Sequence, residues 1–140
     1  MFSSNAGTVG NQWGVTTLFV SSVTAAARMT SDGNAAGAAN SLPIRANHVI
    51  AGTLSVSARN VSTGDGAYWT IPVLFKNSAG TVSVTSPSAT GIAPTVADAS
   101  LSTASIAIAA DNTNKGLSVT ITPPGGVTLS ASAAFLATEM

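Results

Sequence analysis

Apolar side chains recur at every second position along most of the chain, the two-residue period of strands with one face buried. Over residues 44–61, His48, Ile50, Leu54, Val56 and Ala58 fall on one face, and Thr53, Ser55, Ser57 and Arg59 on the other. The turn-forming run 62–66 (STGDG) follows, with two glycines free to take positive φ. Beyond it Ala67, Trp69, Ile71, Val73 and Phe75 alternate against Tyr68, Thr70, Leu74 and Lys76. These two strands are expected to form a hairpin that puts Trp69 in the core and leaves Tyr68 for a surface. Pro72 has no N–H for a ladder, which predicts an edge or a bulge at that point.

The same period predicts strands over 15–20, 81–86, 101–110, 117–121 and 127–139, separated by the turn segments NSAG (77–80), DNTNKG (111–116) and PPGG (123–126). Residues 31–41 and 87–94 read as loops from their Gly, Asn, Asp and Pro content. About seven or eight strands at spacings near ten residues, with no amphipathic helix, predict an all-β fold: an antiparallel β-sandwich, jelly-roll-like, over residues 15–140. Residues 1–14 (MFSSNAGTVGNQWG) have no sustained period and read as an extended N-terminal arm anchored by Phe2 and Trp13 on its own domain or on a neighbouring subunit.

Charge changes this picture more than any other property. Of 140 residues, 7% are charged, with five Lys+Arg against five Asp+Glu, where a soluble domain usually carries roughly a quarter. With 45% hydrophobic residues the chain has enough apolar area to fold. Five dispersed cations give no footprint for neutralising phosphates, so no nucleic-acid partner is expected. The absence of cysteine excludes disulfides, thiolate zinc sites and thiol chemistry. No apolar run reaches the roughly 18 residues of a membrane helix, and residues 1–17 lack the positive start of a secretory signal, so neither is predicted. Polarity comes from Ser and Thr on the outward faces. That leaves broad neutral sheet surfaces and edges, best suited to a chain that works within an assembly.

Candidate chemistry is thin. His48 is the only histidine, and a Ser/His/Asp arrangement built on it lacks any positional signature, so a strand residue at a face or subunit contact is the simpler reading. Asp65, Asp98 and Asp111 resemble the carboxylates of a glycan-cleaving site only by residue type, since each lies in or beside a turn where Asp bonds its own backbone. A calcium loop over 111–122 fails, because Lys115 stands where an oxygen ligand is required and Thr122 where a Glu is required. Asn60, Val61 and Ser62 form a glycosylation sequon that matters only in a eukaryotic secretory protein. No catalytic, metal or cofactor site is predicted. The expected functional residues are subunit contacts: Phe2, Trp13 and Tyr68.

The run VSARNVSTGDGAYWTIPVLFK (56–76) with NSAGTVSV (77–84) resembles the C-terminal β-rich modules of tailed-bacteriophage tail and virion structural proteins. A second block is similar to that family's closing pattern: Ala97 and Asp98, then Ala110, Asp111, Asn114, Lys115, Gly116, LSVTITPP (117–124) and Glu139. The likeness extends to Thr17, Leu18, Phe19 and Arg28. One departure concerns the last strand, often aromatic and arginine-containing in the family but built almost wholly of small residues here over 127–136. The resemblance implies a non-enzymatic structural protein of a tailed-phage virion, assembled in the bacterial cytoplasm. Within that class a capsid decoration (cement) protein is expected, a homo-oligomer, with a trimer favoured, that contacts virion proteins such as the major capsid protein. The alternative is a tail-fibre or adhesin module whose loops 31–41 and 87–94 bind a host-surface glycan.

Overall fold

In the computed structural model, which describes residues 12–86 and 89–140, two antiparallel sheets face one another across a single core. The strands are β1 (Gln12–Val23), β2 (Ala27–Arg28), β3 (Leu42–Pro43), β4 (His48–Asn60), β5 (Gly66–Ser78) and β6 (Thr81–Ser86). They continue as β7 (Ala89–Ile92), β8 (Val96–Ala97), β9 (Ser105–Asp111), β10 (Gly116–Thr122) and β11 (Leu129–Glu139). The larger sheet has the order β1-β11-β4-β5-β6, with β8 beside β5; the smaller has the order β2-β10-β9-β7, with β3 beside β10. The expected all-β antiparallel sandwich is therefore the observed fold.

The seven strands expected from alternation correspond to the seven of six residues or more, although the one expected over 101–110 begins only at Ser105 because Leu101 ends a short 3-10 turn (Ala99–Leu101); β2, β3, β7 and β8 are added to them. β1 starts at Gln12, so the last three residues of the expected arm, Gln12 to Gly14, are ladder residues opposite Glu139, Thr138 and Ala137. Phe2 and the rest of the arm up to residue 11 lie outside the described residues, as does the side chain of Trp13. β4 starts at His48 rather than at residue 44 because Asn47 takes a left-handed conformation (φ 62°), its Oδ1 accepting the Ala79 N–H. That corner carries the chain from β3, in the smaller sheet, into the larger one. The expected loop 87–94 instead contains β7, whose Ile92 carbonyl accepts the Trp69 indole N–H at 3.0 Å.

Alternation determines the core. Leu54, Val56, Trp69, Ile71, Phe75, Ile106, Ile108, Leu117, Val119, Ile121 and Phe135 are buried, with Phe75 and Phe135 stacked obliquely at 6.1 Å between ring centres. Small residues let the strands approach: a Cβ on Gly52 of β4 would lie 2.2 Å from the Leu136 carbonyl of β11. Pro72 sits where its missing N–H does least harm. Gly66 and Tyr68 accept outer-edge N–H groups from Asp98 and Thr95, so by the two-residue period Pro72 also faces that edge. Among the described residues no strand pairs with the outer edge there, between the β8 pairing at Tyr68 and the β6 pairing that resumes, through a bulge, at Leu74. The β5–β6 connection is a two-residue turn with positive φ at both Ala79 (51°) and Gly80 (89°), the geometry matched to strand twist.

Candidate interaction surface

The outer face of the larger sheet is ordered in transverse rows fixed by the register of its strands. One row runs Val15, Leu136, Thr53, Pro72; the next Thr17, Ala134, Ser55, Thr70; the third Phe19, Ser132, Ser57, Tyr68 and Val96. None of these residues is charged. Arg59 stands beyond the rows at one end of the face and Lys76 beyond them at the other. Val96 (68% exposed), Leu136 (55%), Val15 (51%), Phe19 (41%) and Tyr68 (40%) are the exposed large apolar groups in these rows. Long-range repulsion from such a surface is weak, and its Ser, Thr and Ala side chains project little, so it is flat and neutral.

Each ring on this face is held in place. Tyr68 and Trp69 point to opposite faces as expected: Trp69 is fully buried, while Tyr68 lies toward β4 and its hydroxyl donates to Ser55 Oγ at 3.3 Å. The Phe19 ring rests on Gly33, whose absent side chain leaves room for it; a Cβ there would be 2.7 Å from Phe19 Cε2. Gly33 belongs to the loop 31–41, which is internally tied. Asp32 Oδ1 accepts the Asn34 N–H (3.0 Å) and the Asn40 amide (2.7 Å), and these bonds hold its carboxyl below the ordinary value. A shallow depression of about 340 Å³ opens over Ser57, Arg59, Ser130 and Ser132 of the two central strands β4 and β11. β1 and β5 are three strand spacings apart, so the backbones carrying the rings are about 14 Å apart.

The remaining candidates are placed in structural roles. Asp111, only 8% exposed, accepts the Thr113 and Asn114 N–H groups (3.0 and 2.9 Å) and the Asn114 amide (2.7 Å), and pairs with Arg28 at 2.6 Å. Burial alone would raise its pKa, but the hydrogen bonds from Asn114 and the Arg28 charge outweigh it and hold the carboxyl at about 2. Asp98 Oδ2 accepts the Gly66 N–H at 2.8 Å, and Asp65 lies in the β4–β5 turn. The Asp98 and Asp111 carboxylates are thus occupied in or beside turns, as their positions predict, while Asp65 joins its turn through main-chain groups, its N–H donating to Thr63 Oγ1 at 3.2 Å. His48 opens β4 with Nδ1 2.8 Å from the Ala46 carbonyl. Asn60 of the sequon is buried, donating to Ser100 Oγ and accepting the Ser62 N–H. Glu139 is 3% exposed and its two oxygens are held by Arg45. No group of three or more acidic or histidine side chains suited to a metal ion occurs among the described residues.

Sequence reasoning found Tyr68 but missed the apolar groups that share its face. Val15 and Phe19 of β1 lie more than a hundred positions before Leu136 of β11, and the three come onto one face only because β1 and β11 pair. No known family model and no curated protein matches the chain.

Proposed function

We propose that this chain is a non-enzymatic structural protein of a tailed-phage virion, a capsid decoration (cement) protein that stabilises a shell by contacts with its own copies and with the major capsid protein. The observation that supports this reading best is the set of three uncharged rows across the outer face of the larger sheet, which carry five exposed large apolar groups. Such a face gains from being covered, and its neutrality suits repeated packing against identical surfaces. Two of the acidic side chains are held in ion pairs, Asp111 with Arg28 and Glu139 with Arg45. The test is add-back: particles assembled without this chain should rupture at a lower temperature and recover when the purified protein is supplied. Rupture at an unchanged temperature in both cases would contradict the reading.

A second reading, a tail-fibre or adhesin module, is favoured by the shallow depression of serine hydroxyls and Arg59 on β4 and β11, with Phe19 and Tyr68 on the flanking strands of the same face. Glycan-array binding abolished by Tyr68→Ala would support the adhesin; no binding to any glycan would remove it.

A further inference from the structure

We propose that the outer edge of β1 is a self-association site, where a second copy of this chain adds its own β1 antiparallel about a two-fold axis and joins two of the larger sheets into one. The argument starts from the hydrogen-bond ladder and does not depend on a virion role. Phe19 donates its N–H to the Thr30 carbonyl (2.8 Å) and accepts the Thr30 N–H (3.3 Å) on the side of β1 away from β11. Backbone direction alternates along an antiparallel strand, so Trp13, Val15 and Thr17 direct their N–H and C=O groups to that same side. No described residue meets the backbone of Val15 or Thr17 there.

Exposed edges are normally blunted by charge, proline, a bulge or a covering group. The opposite edge of this sheet is covered: on β6 the Asn112 side chain accepts the Val82 N–H (2.7 Å) and donates to the Val82 carbonyl (3.1 Å), filling the place of a neighbouring strand. Among the described residues β1 has no such protection from Gln12 to Leu18, ahead of the Thr30 contact at Phe19. Its sequence, QWGVTTLFVSSV, contains neither charge nor proline, and its pairing with β11 is regular from Gln12 to Val20, with the irregularity only beyond.

Self-complementarity singles out a second copy as the occupant. Thr30 closes the edge at Phe19, which leaves Trp13, Val15 and Thr17, a set symmetric about Val15. An antiparallel pairing centred there sets Val15 against its own counterpart and Trp13 against Thr17 in both directions, forming about six main-chain hydrogen bonds. It also completes a row on the outer face. Val15 and Leu136 are half exposed and adjacent in register, and the two-fold axis extends them to Leu136, Val15, Val15, Leu136 across the seam. No like charges meet, because β1 has none and Glu139 at the end of β11 is buried against Arg45. The pairing gives an even-numbered assembly rather than a trimer.

Sedimentation velocity of the full chain up to about 100 µM tests this. The wild type is expected at twice the 13.7 kDa chain mass. Val15→Lys, which alters a half-exposed side chain and sets two ammonium groups opposite each other, is expected at the single-chain mass with an unchanged circular dichroism spectrum. Thr17→Pro, which removes an outward N–H that β11 does not use, is expected to weaken the dimer at least tenfold. A wild-type monomer, as would follow if residues 1–11 covered this edge, overturns the proposal. So does any oligomer, trimer included, that Val15→Lys leaves intact.

Discussion

Replacing Asp111 with Asn tests the buried carboxylate directly. The amide oxygen of Asn can still accept the turn N–H groups of Thr113 and Asn114, so the change removes the negative charge that Asn114 and Arg28 stabilise, together with the Oδ2 that accepts the Asn114 amide at 2.7 Å and faces Arg28 at 2.6 Å. Arg28 would keep Ser41 Oγ as a side-chain partner at 3.0 Å, with its buried Nε already unbonded. The carboxyl drops from 3.8 to about 2 on folding, which at roughly 1.36 kcal/mol per pH unit is a stabilisation of about 2 kcal/mol. The folded-state pKa is depressed, so this stability is fully present above pH 3.8 and is lost as pH falls through about 2. Urea unfolding followed by tryptophan fluorescence reads the effect. With a slope of about 2 kcal/mol per M, the Asp111→Asn midpoint at neutral pH should lie about 1 M below wild type. Near pH 2 the gap should shrink to less than about 0.5 kcal/mol, because the wild-type carboxyl is then half protonated. Equal midpoints at neutral pH, or a gap undiminished in acid, would refute the ion-pair account.

Three further substitutions address backbone and edge. Ala79→Asn places a residue that tolerates positive φ at the first turn position of the β5–β6 hairpin and should raise stability by about 1 kcal/mol, seen as a higher melting temperature. Gly52→Ala drives a methyl into the Leu136 carbonyl and should lower stability by about 3 kcal/mol or prevent folding, read by thermal melts or soluble yield. Asn112→Ala strips the cover from Val82, costing about 1–2 kcal/mol and producing concentration-dependent association detectable by light scattering.

The fold was legible wherever strands are long enough to display a period. The faces of β4 and β5, the Trp69/Tyr68 division and the turns at 77–80 and 111–116 all follow from local pattern, because burial of one face forces alternation and tight turns demand particular residues. The two-residue strands were not legible. β2, β3 and β8 exist only because a neighbouring strand offers a ladder, and β7 is anchored by the Trp69 indole, a contact between positions 23 residues apart. The expected strand start at residue 44 failed on one left-handed Asn, a choice made by tertiary bonds to the Ala79 N–H rather than by alternation. Of the two glycines expected to turn the β4–β5 hairpin, only Gly64 takes positive φ (85°), since Gly66 already belongs to the ladder. The interaction surface was the least legible feature. Tyr68 is visible as an outward ring, but the row that gives it meaning is set by the pairing of the first and last long strands.

The reading as a decoration protein is tested most directly by counting copies. Quantitative mass spectrometry of purified particles should find this chain in proportion to the shell subunit; a handful of copies per particle, or its absence from particles altogether, would contradict the account.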